Sequence, residues 1–313
     1  MGNYLSEPKR GKHSSTGDSD HFSYGATAMQ GWRITMEDAH VCMPSNAQDA
    51  GFFAVFDGHC GDSAAKYCGE HLHDLLIEQP AYKNKQYEAA IKATYLQADE
   101  ELKVYPPFFQ EPSGCTAVSV LITPDDETVY CGNAGDSRCI LSANGIAHAL
   151  SFDHKPNLEK EKTRILAAGG YISCGRLPRV NGDLALSRAI GDFEYKKGLM
   201  PAEQQMVTSD PEIISKKLEV TDEFIVLACD GIWDVLSSQN VVDFVRDQIV
   251  ARVPLHSICE QLCDRCISPT HPDDGDQLGF DNMTVIIVAL LQGKTKEEWY
   301  DQVSQRTKEQ NNK

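Results

Sequence analysis

Acidic residues stand where apolar segments of this sequence end. Residues 52–56 form a continuous apolar run followed by Asp57, residues 224–229 form a second run followed by Asp230, and a Gly comes next in both cases. Asp281 lies just before a third apolar run. A strand that ends in a carboxylate delivers it to one edge of a sheet, and the following Gly lets the backbone turn sharply or approach an ion.

A fourth acidic group, Glu37 and Asp38, adds to this pattern. Oxygen donors suit hard divalent cations such as Mg²⁺ or Mn²⁺, and unpaired carboxylates that converge repel one another unless a cation lies between them. Asp-Gly is also a common turn dipeptide, so any one of these positions taken alone indicates a turn. Four acidic groups in parallel contexts favour a metal site.

The elements that position these acids are short strands interspersed with helices. We predict strands over 22–29, 51–56, 115–122, 128–132, 138–142, 223–229 and 283–290, and helices over 62–77, 87–104, 160–168, 239–250, 255–267 and 297–303. This order favours a sheet sandwich flanked by helices over a barrel or a doubly wound sheet.

The domain organisation follows from the polar segments. We predict a flexible arm over residues 1–20, the catalytic domain over 21–292 and a polar tail over 293–313. Within the domain, we predict an irregular excursion over 174–203.

Composition restricts the class of protein. The chain has 313 residues, 41% of them hydrophobic, which argues for a sizeable core. Its net charge of −17 argues against binding to nucleic acid. Its 11 cysteines are odd in number and several lie in apolar runs, as expected of free thiols in a reducing compartment. With no apolar stretch of membrane-spanning length and no signal peptide, we expect a cytoplasmic protein. The sequence carries no signal for its oligomeric state, and a monomer is the default expectation.

The first residues carry a lipidation signal. Gly2 opens a pattern, GNYLS after the initiator Met, that fits N-myristoylation, and Lys9, Arg10 and Lys12 follow. One acyl chain gives marginal membrane binding that nearby cations strengthen, so we predict peripheral membrane association through an N-myristoyl group.

Seven segments resemble the signature blocks of the metal-dependent type 2C serine/threonine protein phosphatases. They are GWRITMEDAH (31–40), DGH (57–59), SGCTA (113–117), GDSR (135–138), LSRAIGD (186–192), ACDGIWD (228–234) and DNMT (281–284), in the family's order over residues 22–291. The resemblance implies an α+β fold, a four-layer αββα sandwich of two antiparallel β-sheets flanked by helix pairs. It also implies phosphoprotein substrates, hydrolysed by a metal-bridged hydroxide that attacks phosphorus in line without a covalent phosphoenzyme.

The same resemblance implies a ligand set for two Mg²⁺ or Mn²⁺ ions. Asp57 would bridge both ions, Glu37 and the Gly58 carbonyl would bind one of them, and Asp230 and Asp281 would bind the other. These residues include the acids that the strand ends had already indicated.

Further residues match catalytic positions of the family. Asp38 would orient metal-bound water, Arg33 would bind the substrate phosphate through its planar fork, and His59 would protonate the leaving group as general acid.

Other matches are peripheral to this centre. Asp136 and Asp234, together with Asp230, would form a weaker third metal site, and Arg179 would lie on a flap beside the active site. Asp192 also matches a family position, where a metal-ligand role and a turn or structural hydrogen bond stay open.

The cysteines allow two other interpretations, a cysteine-dependent phosphatase loop and a zinc site. Cys60 replaces the family's usual Gly and, with Lys66, nearly spells the His-Cys-x5-Arg loop of cysteine-dependent phosphatases, but Lys lacks the bidentate fork of Arg. Cys259, Cys263 and Cys266 share one helix face, where core packing is favoured over zinc because paired Cys-x2-Cys motifs are missing.

Two rival functions stay open at this point. One is a pseudophosphatase that keeps the fold as a binding module, and the other is an acyl-anchored scaffold. The intact acids Glu37, Asp57, Asp230 and Asp281 argue for the enzyme.

Overall fold

The computed structural model describes residues 4–45, 50–173, 175, 177–198, 200–274 and 278–311. Its strands are β1 (Tyr4–Asp18), β2 (Phe22–Arg33), β3 (Ala39–Met43), β4 (Gly51–Phe56), β5 (Gly58–His59), β6 (Gly114–Cys115), β7 (Ala117–Thr123), β8 (Thr128–Ala134), β9 (Arg138–Ala143), β10 (Ile146–Ala149), β11 (Ile172–Ser173), β12 (Arg179–Val180), β13 (Ile190–Gly191), β14 (Glu212–Lys217), β15 (Asp222–Ala228) and β16 (Met283–Leu290). Its α-helices are α1 (Ser63–Glu78), α2 (Pro80–Lys83), α3 (Tyr87–Leu102), α4 (Pro106–Gln110), α5 (Glu159–Ala167), α6 (Asp230–Trp233), α7 (Ser238–Val250), α8 (Leu255–Cys266) and α9 (Lys296–Asn311).

Two antiparallel sheets form the centre of the molecule. One has the strand order β1-β2-β16-β15-β9-β10 and the other the order β14-β8-β7-β4-β3. Two smaller sheets, β11-β12 and β13-β6-β5, complete the pairing among the described strands. Every strand pair in these sheets is antiparallel, as expected for a sandwich.

The continuous apolar runs are explained by burial of both faces of the central strands. Phe53 and Val55 of β4 pack in the layer between the two sheets, together with Ile225 and Leu227 of β15. The alternate residues of β4, such as Phe52, pack instead against the outer helices. Because successive side chains point to opposite faces, a strand buried on both sides has no position that faces solvent.

Helices cover the outer face of each sheet and complete four layers. Helices α1 and α3 pack on the five-stranded sheet through the cluster that contains Leu72 and Tyr95. Helices α7, α8 and α9 pack on the six-stranded sheet through the cluster that contains Val245, Leu262 and Trp299. The αββα sandwich is thereby confirmed.

The prediction of a flexible arm over residues 1–20 is wrong for 4–18, which form the edge strand β1. This strand pairs with β2 and also contacts α8, where Ser14 Oγ donates to Glu260 Oε1 at 2.6 Å and Lys12 Nζ lies 2.8 Å from Asp264 Oδ1. Backbone hydrogen bonds hold an edge strand whatever its side chains are. This polar segment therefore carries no apolar pattern from which a strand could be predicted. Gly2 lies outside the described residues.

The polar tail predicted over 293–313 is a helix over most of its described part, which ends at residue 311. The short helix predicted over 297–303 extends to α9, Lys296–Asn311. Trp299 is 1% exposed, and its Nε1 donates to the backbone oxygen of Glu223 at 2.9 Å. Few apolar residues suffice here because one Trp buries a large area.

Two further predictions concern helices. Helix α8 carries Cys259, Cys263 and Cys266 on its buried face, where they pack into the core. This confirms the interpretation of these cysteines as core residues. In the described part of the chain, no helix combines the length and the apolar character needed to cross a bilayer.

Candidate metal centre and active site

The ends of strands from both large sheets meet at one cleft of about 540 Å³. Asp57 follows β4 of one sheet, whereas Asp230 follows β15 and Asp281 precedes β16 of the other. The cleft is lined by most of the residues that sequence analysis selected: Arg33, Glu37, Asp57, Gly58, His59, Asp136, Arg179, Asp230, Asp234 and Asp281. Two β-sheets packed face to face therefore bring together acids that are up to 244 residues apart in the printed sequence, from Glu37 to Asp281.

The carboxylates repel one another strongly in this cleft. Loss of solvation, followed by the charge of Asp230, raises the pKa of Asp57 well above its usual range. Loss of solvation and the charges of Asp136 and Asp281 do the same to the pKa of Asp230. A divalent cation would stabilise these carboxylates in their ionised form, so the donor set fits a hard metal ion.

Asp38 lies next to Asp57, and potential ligand atoms of Asp38, Asp57 and Cys229 lie within 4.8 Å of one another. The Cys229 sulfur is already engaged, because it accepts from the backbone N–H of Thr284 at 3.1 Å. Its pKa is raised well above the usual thiol range by burial and then by Asp38. The oxygens of the two acids are therefore the metal-directed or water-directed atoms of this group.

The two oxygens of Asp38 have different surroundings. The hydroxyl of Thr284 donates to Oδ2 at 2.6 Å, whereas Oδ1 is buried without a hydrogen-bond partner among the described residues. Burial outweighs the Thr284 hydrogen bond and raises the pKa of Asp38 to about 7. An unpaired buried acceptor of this kind fits a role in holding water beside a metal ion.

Glu37 is held in place by backbone and amide groups. Its Oε2 accepts from the N–H of Gly61 at 3.1 Å, and its own N–H donates to Oδ1 of Asn282 at 2.9 Å. A Cβ at Gly58 would lie only 2.3 Å from the carbonyl oxygen of Glu37, so a Gly is required for this close approach.

Asn282 has a larger part in the site than sequence analysis recognised. Its Nδ2 donates to the carbonyl oxygens of Gln30 at 2.8 Å and Thr35 at 3.0 Å, in addition to the bond with Glu37. The amide is 5% exposed and fixes the loop that carries Glu37 and Asp38. Its position directly after Asp281 was the only signal in the sequence.

Arg33 lies at the rim of the cleft. Its Nη2 is 2.5 Å from Oδ2 of Asp281, and its side chain is 43% exposed. The guanidinium also stands 6.0 Å from the ring centre of Tyr4, on the N-terminal strand. The guanidinium is therefore half-exposed to the cleft while it pairs with one of the acids there.

His59 is paired with Asp192, whose role the sequence left open. Asp192 Oδ2 lies 2.8 Å from His59 Nε2. Burial lowers the pKa of His59, but the charge and hydrogen bond of Asp192 outweigh it and raise that pKa. The small sheet places both residues beside Gly114, where a Cβ would lie 2.4 Å from the facing atoms of either residue.

Asp136 and Asp234 occupy one side of the cleft. The ammonium of Lys155, which sequence analysis did not select, forms an ion pair with Asp136. Loss of solvation outweighs the charge of Lys155 and raises the pKa of Asp234. Lys155 therefore occupies part of the region expected to hold a weaker third metal ion.

The flap contributes Arg179 to the cleft lining, where its guanidinium donates to the carbonyl oxygen of Asp183. Cys60, which also lines the cleft, has a positive φ of 59°. Lys66 of α1 pairs at 2.6 Å with Asp62, the N-cap residue of this helix. Burial and then Asp192 raise the pKa of the Cys60 thiol. These contacts oppose the alternative of a cysteine-dependent phosphatase loop.

Comparisons with known proteins agree with this geometry. The sequence model of the family described as protein phosphatase 2C matches residues 22–275. Protein phosphatase 2C homolog 2 of Schizosaccharomyces pombe is 51% identical over 313 residues, covering 98% of this chain and 83% of the yeast protein. Protein phosphatase 2C homolog 3 of the same yeast is 48% identical over 311 residues, covering 98% of this chain and 73% of that protein.

A solved structure of a phosphatase from Toxoplasma gondii has a TM-score of 0.75 and 27% identity, covering 91% of this chain and 97% of that chain. The chain therefore belongs to the protein phosphatase 2C family. It is a metal-dependent protein serine/threonine phosphatase.

Proposed function

We propose that the chain hydrolyses phosphoserine and phosphothreonine at a centre of two divalent cations, Mg²⁺ or Mn²⁺. The observation that carries the proposal is the convergence of Asp57 and Asp230 from the ends of two different sheets, where burial and then the charge of Asp230 raise the pKa of Asp57. Cations between these carboxylates would replace repulsion with attraction.

The proposed ligand set is the one that the family resemblance implies, and its members all line the cleft. Asp57 would bridge the two ions, Glu37 and the Gly58 carbonyl would bind one, and Asp230 and Asp281 would bind the other. A weaker third ion would lie among Asp136, Asp234 and Asp230, displacing the ammonium of Lys155 from Asp136.

When bound, two such ions would supply Lewis acidity and a water of lowered pKa for in-line attack on phosphorus, without a covalent phosphoenzyme. The protein's own groups prepare this attack. Asp38, whose Oδ1 has no hydrogen-bond partner among the described residues, would accept a hydrogen bond from such a water and orient it. Arg33 binds two phosphate oxygens with its planar fork and neutralises part of their charge.

His59 provides the proton for the leaving serine or threonine oxygen. Because Nε2 is committed to Asp192, Nδ1 is the nitrogen that donates this proton. An alkoxide is a poor leaving group, so this proton transfer lowers the barrier for physiological substrates. Asp192 stabilises the imidazolium before the transfer, as its effect on the pKa of His59 indicates.

The test is hydrolysis of p-nitrophenyl phosphate and of a phosphothreonine peptide with Mn²⁺, before and after EDTA. We expect activity only with the cation, and a loss greater than about 100-fold in Asp57→Asn, because removing a ligand costs more than removing an outer partner. Asp74→Asn, an exposed acid on α1, is the matched control. Calorimetric binding of Mn²⁺ without turnover of either substrate would contradict the proposal and favour the non-catalytic module.

Acylation of Gly2, peripheral membrane association and the monomeric state stay predictions. Two of the cations expected to assist membrane binding, Arg10 and Lys12, lie near Asp264, at 3.9 and 2.8 Å. An intact-mass measurement of the protein from its native cell, showing Gly2 with or without the mass of a myristoyl group, decides the first of these. If the Gly2→Ala variant keeps the cellular location of the wild type, that result would contradict peripheral membrane association and the scaffold alternative.

A further inference from the structure

A buried ion pair lies behind the active site, outside the lining of the cleft. Asp99 on α3 and Lys196 are 5% and 1% exposed at their side chains, and Oδ1 and Nζ are 2.7 Å apart. Desolvation of two charges offsets much of their attraction, so apolar residues of similar volume often stabilise a core equally well. Stability alone is therefore a weak reason for a charged pair at this place.

The contacts of the pair are directed at one short stretch of backbone. Asp99 Oδ1 also accepts from the N–H of Gly191 at 2.8 Å, and Lys196 Nζ donates to the carbonyl oxygen of Ala189 at 2.8 Å. Asp99 and Lys196 thus hold the chain on both sides of Ile190. This clamp ends one residue before Asp192.

Asp192 needs such support because its backbone is in the left-handed region, with a φ of 51°. That conformation is unfavourable for a residue with a side chain, so the surrounding contacts must hold it. Gly191 pairs with Gly114 in the small sheet, and Gly114 pairs with His59 on its other side. A shift of the clamped backbone therefore moves the Asp192 carboxylate relative to His59 Nε2.

We infer that Asp99 and Lys196 are positioning residues for proton donation, because they fix the Gly191–Asp192 backbone and through it the Asp192 carboxylate that orients His59. The inference rests on the role proposed above for His59. Helix α3 makes a suitable anchor, since Asp99 lies among buried residues of that helix such as Tyr95 and Leu102. The pair contacts neither the cleft nor the proposed ligands directly, so its effect is confined to the His59 side of the reaction.

The first experiment compares leaving groups. Phenyl phosphate and a phosphothreonine peptide require a proton on the leaving oxygen, whereas p-nitrophenyl phosphate releases a stable phenolate. In Lys196→Met we expect kcat on the first two to fall about tenfold or more, and kcat on the third to change less than about twofold. The double variant Asp99→Leu/Lys196→Met removes both charges and shows the same selectivity if the single variant does not fold.

Two controls separate positioning from general damage. Lys216→Met breaks another Lys–Asp pair, with Asp222 at 2.6 Å, and leaves the three activities unchanged. In a His59→Gln background, Lys196→Met causes no further loss, because both changes act on one step. An equal fall on all three substrates, or a further loss in that background, would overturn the inference.

A second readout does not require turnover. In the metal-free protein labelled with ¹⁵N-histidine, NMR detects the Nε2–H···Asp192 hydrogen bond, with the signal assigned by its loss in His59→Gln. We expect the double variant to lose or shift this signal, and an unchanged signal would overturn the inference. Absence of metal-dependent hydrolysis in the wild type would instead contradict the proposed function, so the two failures are distinguishable.

Discussion

Thr284 donates its hydroxyl to Asp38 Oδ2 at 2.6 Å, whereas Oδ1 of the same carboxylate is buried and meets no hydrogen-bond partner in the described parts of the chain. Thr284 lies at the start of β16, in the six-stranded sheet, whereas Asp38 precedes β3 of the other sheet. The bond therefore crosses between the sheets at the metal end of the sandwich. Because the Thr284 hydroxyl occupies Oδ2, Oδ1 is the Asp38 oxygen that can accept a further hydrogen bond.

Removal of this hydroxyl should weaken catalysis. In Thr284→Val, Asp38 Oδ2 loses its donor in a buried place, and the carboxylate is free to rotate away from its position. We expect kcat/KM to fall about 10- to 100-fold, as for other outer partners of metal sites. Steady-state kinetics with Mn²⁺ measures the fall. Thr284→Ser keeps the hydroxyl and should retain most of the activity, so equal losses in both variants would contradict the role of the hydrogen bond.

Gly114 should tolerate no side chain. A Cβ there would lie 2.4 Å from both His59 Nε2 and the Asp192 carboxylate, so Gly114→Ala must push the pair apart. We expect hydrolysis of phenyl phosphate to fall about 100-fold, the lower end of what general acid catalysis contributes. Gly11→Ala is the control, because a Cβ at Gly11 meets nothing within 4 Å. Wild-type kinetics in Gly114→Ala would show that the pair is not needed in this geometry.

Cys60 should be a point of stored backbone strain. Its φ of 59° is unfavourable for any residue with a side chain, whereas a Gly adopts it freely. Relief of this strain exceeds the extra entropy of a Gly in the unfolded chain, so Cys60→Gly should raise the free energy of unfolding by about 0.5–1 kcal/mol. Urea unfolding measures the change. Cys60→Ser keeps the side chain and should give no gain, and an equal gain in both variants would point to the thiol instead.

Glu161 should make stability depend on pH in the acid range. Burial opposes its ionisation, but the hydrogen bonds of Arg188 and the charge of Arg164 outweigh burial and lower the pKa of Glu161 to about 2. Since the folded pKa lies below the usual value of 4.5, the stabilisation is complete above about pH 4.5 and is lost as pH falls towards 2. Roughly 2–3 kcal/mol of the free energy of unfolding is expected to disappear over this window.

Urea unfolding between pH 6 and pH 3 tests the Glu161 prediction. Glu161→Gln should be less stable than the wild type at pH 6, because the buried Arg188 and the partly buried Arg164 lose their counter-charge, and its stability should vary less with pH. Glu78→Gln, at an exposed position on α1, should follow the wild-type profile. A pH profile of Glu161→Gln parallel to that of the wild type would contradict the prediction.

Local patterns in the sequence were sufficient for the central strands and for the acids at their ends. A strand buried on both faces leaves a run such as 52–56 with no polar residue, and the acid after it must lie at the sheet edge. The edge strand β1 left no such pattern, because backbone hydrogen bonds hold it whatever its side chains are. Helix α9 was underestimated in length, since its burial depends on few residues, among them Trp299.

Side-chain pairs between distant segments were decided by the tertiary structure. The sequence by itself determined that Asp57, Asp230 and Asp281 end or begin apolar strands, and the family's motifs assigned their roles. Only the tertiary structure decided that Asp192 faces His59, through the small sheet β13-β6-β5, and that Lys155 meets Asp136. The physical reason is that a period along the chain reports which face of an element is buried, whereas a partner across the fold depends on how separate elements pack.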